Sequence, residues 1–200
     1  MAPTLVECWL AFRPITSRSS RPDSTSLAIT IKTKPTTRRT SISFNKLTSV
    51  EIPSVLSIEE QNSDYPWSQL QFTTSIENND NLCYCLSLNG KTVGYLIAML
   101  AVDTADILNI GIDPDLQRQG YATGLLNRLI EELRKRHIRE ILLEVRAGNK
   151  SAIQFYKKQG FKEISVRKNY YMKNSKNQSQ REDGIIMSIK IPSTEIKNVL

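Results

Sequence analysis

Asp113-Pro-Asp-Leu-Gln-Arg-Gln-Gly-Tyr-Ala-Thr123 is the stretch on which the reading of this 200-residue chain turns. Before it, Ala105–Ile112 is an apolar, β-rich run that stops at Asp113-Pro114, as a strand does. After it, Thr123–Arg136 places Leu125, Leu126, Leu129, Ile130 and Leu133 on one helical stripe. A strand, a glycine-bearing turn and an amphipathic helix in that order can aim several backbone N–H groups at a pyrophosphate. The helix N-terminus adds a favourable dipole. Gly120 and the small Ala122 let the backbone approach closely. Neither Gly-x-x-x-x-Gly-Lys nor Gly-x-Gly-x-x-Gly occurs there, which excludes a Walker loop and a dinucleotide fingerprint.

The flanking segments alternate in type. Ile42–Leu47 is a short strand candidate, and Thr48-Ser-Val-Glu51 has the spacing of a capping box that opens a helix to about Gln61. Tyr65-Pro66-Trp67-Ser68 reads as a turn, with Ser68 capping a second helix to about Glu77. Leu82–Leu88 and Lys91–Val102 flank Asn89-Gly90, a two-residue hairpin signal. Beyond the long helix come a strand, Glu140–Arg146, and a helix capped by Asn149 that ends at Gln159 before Gly160. Phe161–Tyr170 and Gly184–Ile191 read as two final strands. The sum is an α/β fold with a mixed sheet.

At 22.7 kDa and 40% hydrophobic residues, the chain can bury the core of one domain and still carry extra polypeptide. No apolar run reaches the ~18 residues of a membrane-spanning helix. The net charge of +7 is unevenly placed: residues 1–46 hold eight basic and two acidic residues, hence +6 of it. The near-neutral remainder argues against a nucleic-acid site in the domain. Residues 1–40 are rich in Ser, Thr, Arg and Pro without apolar periodicity, so they are expected to be a disordered extension. They read as a dispensable arm, an organelle transit peptide or a basic arm that touches RNA. The abrupt change of composition at Ser41 favours the first. The folded domain is then expected over 41–192, with a tail at 193–200.

The cysteines are Cys8, Cys83 and Cys85. Cys83 and Cys85 fall on the same face of one strand, too far apart for an unstrained bridge, which points to a reducing compartment. With one distant histidine, His137, the pair reads as buried thiols and no metal is expected.

Gln117-x-x-Gly120-x-Ala122 resembles the acetyl-CoA signature of the GNAT superfamily of N-acetyltransferases. Leu143-Glu-Val-Arg-Ala-Gly-Asn149, Ala152-Ile-Gln-Phe-Tyr156 and Gly160-Phe161 fall where that family's later motifs fall. The resemblance covers residues 42–192. Pro66-Trp67-Ser68, Leu143-Glu-Val-Arg146, Asn169-Tyr170-Tyr171, Arg181-Glu182-Asp183 and Ile185-Ile-Met187 resemble one branch, the bacterial ribosomal-protein-alanine N-acetyltransferases. The segment Met172–Gln180 is longer than is usual there. The resemblance implies a GNAT fold, with a mostly antiparallel central sheet flanked by helices. It implies acetyl-CoA as co-substrate, no metal, and transfer to the α-amine of a protein N-terminus, the N-terminal alanine of the eighteenth small-subunit ribosomal protein. A cytoplasmic monomer with no membrane contact is expected, or an organelle protein if residues 1–40 are a transit peptide.

Acetyl transfer requires that the ammonium lose a proton, that the thioester lie beside the amine, and that the thiolate be protonated. Glu144 sits inside the apolar run Ile141-Leu-Leu-Glu-Val145, where a carboxylate is costly unless it works or is paired. Partial burial would make it a better base. By pattern alone a base and an ion pair to a neighbour such as Arg146 stand level; the resemblance makes Glu144 the proton acceptor. Tyr156, beside Ile153 and Phe155, reads from composition as a core aromatic. The resemblance makes it the acid that protonates the departing sulfur. It also gives Asn149, a helix cap by position, a contact to the CoA arm. It assigns Ile110, Gly111 and Ile112 to the acetyl and pantetheine part, and Arg118, Gln119, Gly120, Tyr121, Ala122 and Thr123 to the pyrophosphate.

Trp67 reads equally as a lid over the core or a wall of a peptide site, which Tyr170 and Tyr171 would also line. Glu182 and Asp183 would meet a cationic peptide or form a solvated loop face, and His137 reads as a surface residue. Rival readings are a lysine, polyamine or aminoglycoside acceptor, a non-catalytic acetyl-CoA-binding module that docks to ribosomes, and an RNA-binding protein. A protein beginning at Ser41 is expected to keep its thermal midpoint and its activity on a short free peptide. A large drop in either, by calorimetry or steady-state assay, would place the arm against the domain.

Overall fold

Polar side chains at the helix starts set the first half of the chain. The computed structural model describes residues 40–172 and 181–192. The expected extension up to residue 39, residues 173–180 of the long segment and the tail 193–200 lie outside the described residues. β1 (Ile42–Lys46) leads to Thr48, whose hydroxyl accepts from Val50 N at 3.3 Å while Glu51 accepts from Thr48 N at 2.9 Å. This capping box closes a 3-10 turn, Ser49–Glu51, and α1 (Ile52–Asn62) follows as a separate element. The break differs from the single helix expected, and it falls where Pro53 has no N–H to donate. Ser68 and Gln71 form a second capping box, which opens α2 (Gln69–Glu77).

β2 (Asn81–Leu88) and β3 (Lys91–Leu100) form the hairpin around Asn89-Gly90, where both turn residues have positive φ as this turn requires. β4 (Thr104–Ile112) passes through a second 3-10 turn at Pro114–Leu116 into α3 (Tyr121–Lys135). α3 begins two residues before the expected Thr123, because Gly120 at φ 88° serves as its N-cap. β5 (Glu140–Arg146), α4 (Lys150–Lys158), β6 (Lys162–Met172) and β7 (Arg181–Lys190) complete the chain.

The seven strands form one sheet in the order β1-β2-β3-β4-β5-β7-β6. Every pairing is antiparallel except β4 with β5. Helices α3 and α4 cover one face, where Leu125, Leu126, Leu129 and Leu133 are fully buried. Each such leucine contributes about 1.5–3 kcal/mol through burial. Helices α1 and α2 cover the other face with Ile52, Val55, Ile58 and Phe72, packed on Cys83, Cys85, Tyr95 and Ile97. Trp67 lies in this second core, 5.4 Å from the Phe72 ring, so the core reading of that residue is the one observed.

The sheet parts in one place. β4 and β5 pair only from Thr104↔Glu140 to Ile107↔Leu143. At that point β4 carries an extra residue, Leu108, because Ile97 pairs with Asn109 while Ala98 pairs with Ile107. The bulge turns Leu108 toward the α1–α2 core while Ile107 and Ile110 face the α3–α4 core. From Leu108 to Ile112, the edge of β4 that faces away from β3 has no strand partner among the described residues.

Burial pushes the Cys83 thiol up to about 11 and raises that of Cys85 as well. Such thiols carry almost no thiolate at neutral pH. In a Cys8→Ser protein, a disulfide-exchange reagent is expected to titrate neither cysteine until denaturant is added. Fast modification of the native protein would contradict this packing.

Candidate active site

The parted strands bring the chemistry together. Glu144 is the first residue of β5 beyond its last pairing with β4, so it stands at the fork of the gap. It is 3% exposed, and its side chain leaves the sheet on the α1–α2 side, opposite to Leu143 and Val145 in the α3–α4 core. Tyr171 donates its hydroxyl to Glu144 Oε1 at 2.6 Å. Arg167 Nη1 lies 3.1 Å from Oε2 but without the alignment of a hydrogen bond, so Oε2 has no hydrogen-bond partner among the described residues. The ion-pair partner is thus Arg167 and not the expected neighbour, Arg146.

A bulge in β6 makes this arrangement possible. Arg167 pairs with Gly184 and Tyr171 with Glu182, so Lys168, Asn169 and Tyr170 together stand opposite Asp183. Asp183 accepts from Asn169 N at 2.9 Å, where Asn169 has φ 51°, and from Lys168 Nζ at 3.0 Å. These contacts, the Asn169 N–H first, hold its carboxyl below the usual range. Three residues set against one leave Arg167 and Tyr171 on the same face as Glu144, either side of Gly184. A Cβ on Gly184 would stand 3.1 Å from Glu144 Oε1 and 3.2 Å from the Tyr171 ring. Its absence is what lets the phenol reach the carboxylate.

Arg146 closes the same side. Its guanidinium lies 4.3 Å above the Tyr65 ring and 4.2 Å above the Tyr171 ring. It donates to Glu182 Oε1 and to Met172 O, each at 2.9 Å, and Tyr65 donates to Met172 O at 3.1 Å. Glu182 and Asp183 are therefore engaged by cations of the chain itself, Glu182 by buried Arg146 and Asp183 by Lys168 at the solvated surface.

On the other side of the sheet a cleft of about 370 Å³ opens between the N-terminus of α3 and the outer face of α4. Of the ten expected cofactor residues it is lined by Ile112, Arg118, Gly120, Tyr121, Ala122 and Thr123, joined by Ser151, Gln154, Phe155, Lys158 and Gln159. Ile110, Gly111, Gln119 and Asn149 do not line it. Ile110 and Gly111 lie on the unpartnered stretch of β4, and Asn149 Oδ1 accepts from Ala152 N at 3.0 Å as the cap of α4. Gln117 also lines the cleft, and its side-chain amide ties the turn to α1, donating to Asn62 Oδ1 at 2.9 Å. Tyr156 is fully buried in the α3–α4 core, with ring centroids 5.3 Å from both Phe155 and Phe161. His137 is exposed, as expected.

A buried polar cluster supports β4 from behind. Glu59 of α1 accepts from Tyr95 Oη, from Asn109 Nδ2 at 3.3 Å and from Trp67 N at 3.0 Å. These donors compensate the desolvation of its carboxylate and pin Asn109, the residue after the bulge. Sequence reasoning missed Glu59, although it falls on the buried stripe of Ile52, Val55 and Ile58. It also missed Arg167, which an alternating strand gives no reason to single out.

The acetyltransferase (GNAT) family profile matches residues 52–161. The chain belongs to this family, and it is an N-acetyltransferase. It is 38% identical over 148 residues to the [ribosomal protein bS18]-alanine N-acetyltransferase of Escherichia coli, covering 74% of this chain and 97% of that one. To the Haemophilus influenzae protein of the same name it is 34% identical over 148 residues, covering 72% and 96%. The crystal structure of the Escherichia coli ribosomal-protein-S18-alanine N-acetyltransferase superposes with a TM-score of 0.70, at 36% identity over 80% of this chain and 99% of that one. That of Arabidopsis thaliana NAA60 in complex with acetyl-CoA shares the fold, with a TM-score of 0.66 at 17% identity over 76% and 99%.

Gly184→Ala is expected to lower turnover at least about tenfold, because a displacement of the carboxylate by a fraction of an ångström disturbs the reacting geometry. The thermal midpoint should move little. Parental turnover would show that the close packing of Glu144 and Tyr171 over Gly184 is not needed.

Proposed function

We propose that this enzyme transfers acetyl from acetyl-CoA to the α-amine of a protein N-terminus, and that its acceptor is the N-terminal alanine of ribosomal protein bS18. The observation that carries the reading is Glu144 Oε2: a buried carboxylate oxygen at the fork of the sheet, without a hydrogen-bond donor among the described residues. The Escherichia coli and Haemophilus influenzae relatives that carry this activity in their names match over 97% and 96% of their length, which supports the same acceptor.

The roles follow from the geometry. The pyrophosphate lies against the turn and helix start at Arg118, Gln119, Gly120, Tyr121, Ala122 and Thr123, where N–H groups and the dipole of α3 favour an anion. Asn149, at the start of α4, adds a contact to the CoA arm. The acyl-pantetheine part runs along Ile110, Gly111 and Ile112, whose unpartnered edge supplies backbone hydrogen bonds and steadies the developing oxyanion. The peptide enters from the α1–α2 side, the side on which Glu144 leaves the sheet. Glu144 Oε2 takes a proton from the α-ammonium, directly or through one water. The amine nitrogen then attacks the thioester carbon, the C–S bond breaks, and Tyr156 gives its proton to the thiolate. Base and acid come from opposite faces of the sheet, and both reach the thioester only through the gap. No step requires a metal.

The catalytic unit spans 41–192 and acts as a monomer, and the unbridged Cys83 and Cys85 suit a reducing compartment such as the cytoplasm. Incubation with acetyl-CoA and a whole ribosomal protein extract, followed by mass-spectrometric mapping, should find acetate on the α-amine of bS18. Label on lysine side chains alone would overturn the acceptor. Glu144→Gln should lower turnover at least about a hundredfold, within the range for loss of a general base, with the acetyl-CoA Michaelis constant nearly unchanged. Near-parental turnover at neutral pH would remove Glu144 from the mechanism.

A further inference from the structure

Glu144 is enclosed, and what surrounds it is unequal. Facing its carboxylate are Tyr171 and Arg167 from β6, Arg146 from its own strand, Glu182 from β7 and, beyond Arg146, Tyr65 from the segment between α1 and α2. Gly184 of β7 adds no side chain. The charge of Arg146 is matched by Glu182, 2.9 Å away. Tyr171 is a neutral donor to Oε1. Among the described residues this leaves Arg167 as the one cation within ion-pair distance of Glu144.

The Arg167 side chain is 35% exposed, and its guanidinium lies 5.0 Å from the centre of the Tyr170 ring. Its pairing with Gly184, just before the three-residue bulge that Asp183 locks, places it on the face of Glu144. It thus reaches from the solvent edge of the site to the oxygen that the reaction uses, yet without the alignment of a hydrogen bond. A guanidinium so placed stabilises the ionised carboxylate by its field and leaves the lone pairs of Oε2 available.

We propose that Arg167 is a positioning residue for acetyl transfer: its guanidinium keeps Glu144 ionised and aimed within a nearly dry site, so that Oε2 can accept the proton of the α-ammonium. The proposal rests on Glu144 being the base. A base works only when deprotonated. A neighbouring cation lowers the carboxyl's affinity for protons, so removing that cation moves the loss of activity in acid toward higher pH.

The test is the pH dependence of kcat/KM for a peptide carrying the bS18 N-terminus, between about pH 5 and 9. Arg167→Gln should shift the acid limb assigned to the enzyme upward by about one unit or more. Arg167→Lys, which keeps a charge, should shift it less and retain more of the rate above the limb than Arg167→Gln. The peptide's own amine, near pH 8, titrates alike in every variant, so a difference between variants belongs to the enzyme. Thermal midpoints are measured in parallel. Should the Gln variant lose its fold, Arg167→Met repeats the test with the apolar stem kept over Tyr170. An unmoved limb with a uniformly lower rate would make Arg167 a packing residue and overturn the proposal. Glu144→Gln in the same assay separates the two readings: if it is inactive while the Arg167→Gln limb stays fixed, only this inference falls. If it is active, both do.

Discussion

The proposed chemistry of this molecule depends on the parting of β4 from β5. Parallel pairing lasts only from Thr104 to Ile107 on β4. An abandoned strand edge exposes backbone groups that need hydrogen-bond partners, and such an edge is normally covered or paired. Here it persists because each strand is held from its other side. β3 and the Glu59–Tyr95–Asn109 cluster hold β4, and β7 holds β5 along its whole length. The bulge at Leu108 starts the divergence, and the buried carboxylate of α1 keeps the next residue from closing it.

The acidic groups around the gap are organised by their nearest cations. Glu182 meets Arg146, Asp183 meets Lys168 and Glu144 meets Arg167. These three pairs differ in what they contribute. The Lys168 contact is at the surface, where an ion pair is worth about 0–1 kcal/mol. A buried pair such as Arg146–Glu182 roughly offsets its own desolvation, so its value is the geometry it imposes on Tyr65, Tyr171 and Met172. At Glu144 the pairing is deliberately incomplete: one oxygen is hydrogen-bonded, and the other sees a charge without a directed donor. A carboxylate fully satisfied by its own protein would have little to offer an incoming ammonium.

Much of the fold was legible in the chain. The capping boxes at Thr48 and Ser68, the Asn89-Gly90 hairpin, the leucine stripe of α3 and the Asn149 cap are local signals, read from residues within four or five positions of one another. The turn around Gly120 was legible for the same reason, and six of its neighbours line the cleft. Glu144 stood out because a charge within an apolar strand needs an explanation.

What surrounds Glu144 was not legible, because it is assembled across distances in sequence that no local rule spans. Arg167 and Tyr171 reach it from 23 and 27 positions away, and Gly184 from 40. They share its face because one extra residue, Ile164, shifts β6 against β7 and exchanges the faces that strict alternation would assign, and the three residues opposite Asp183 then bring Tyr171 level with Glu182. Glu59 is joined to Asn109 across 50 positions in the same way. Periodicity and caps determined which elements form. Strand pairing, which is non-local, decided where the sheet would open and which charges would stand beside Glu144.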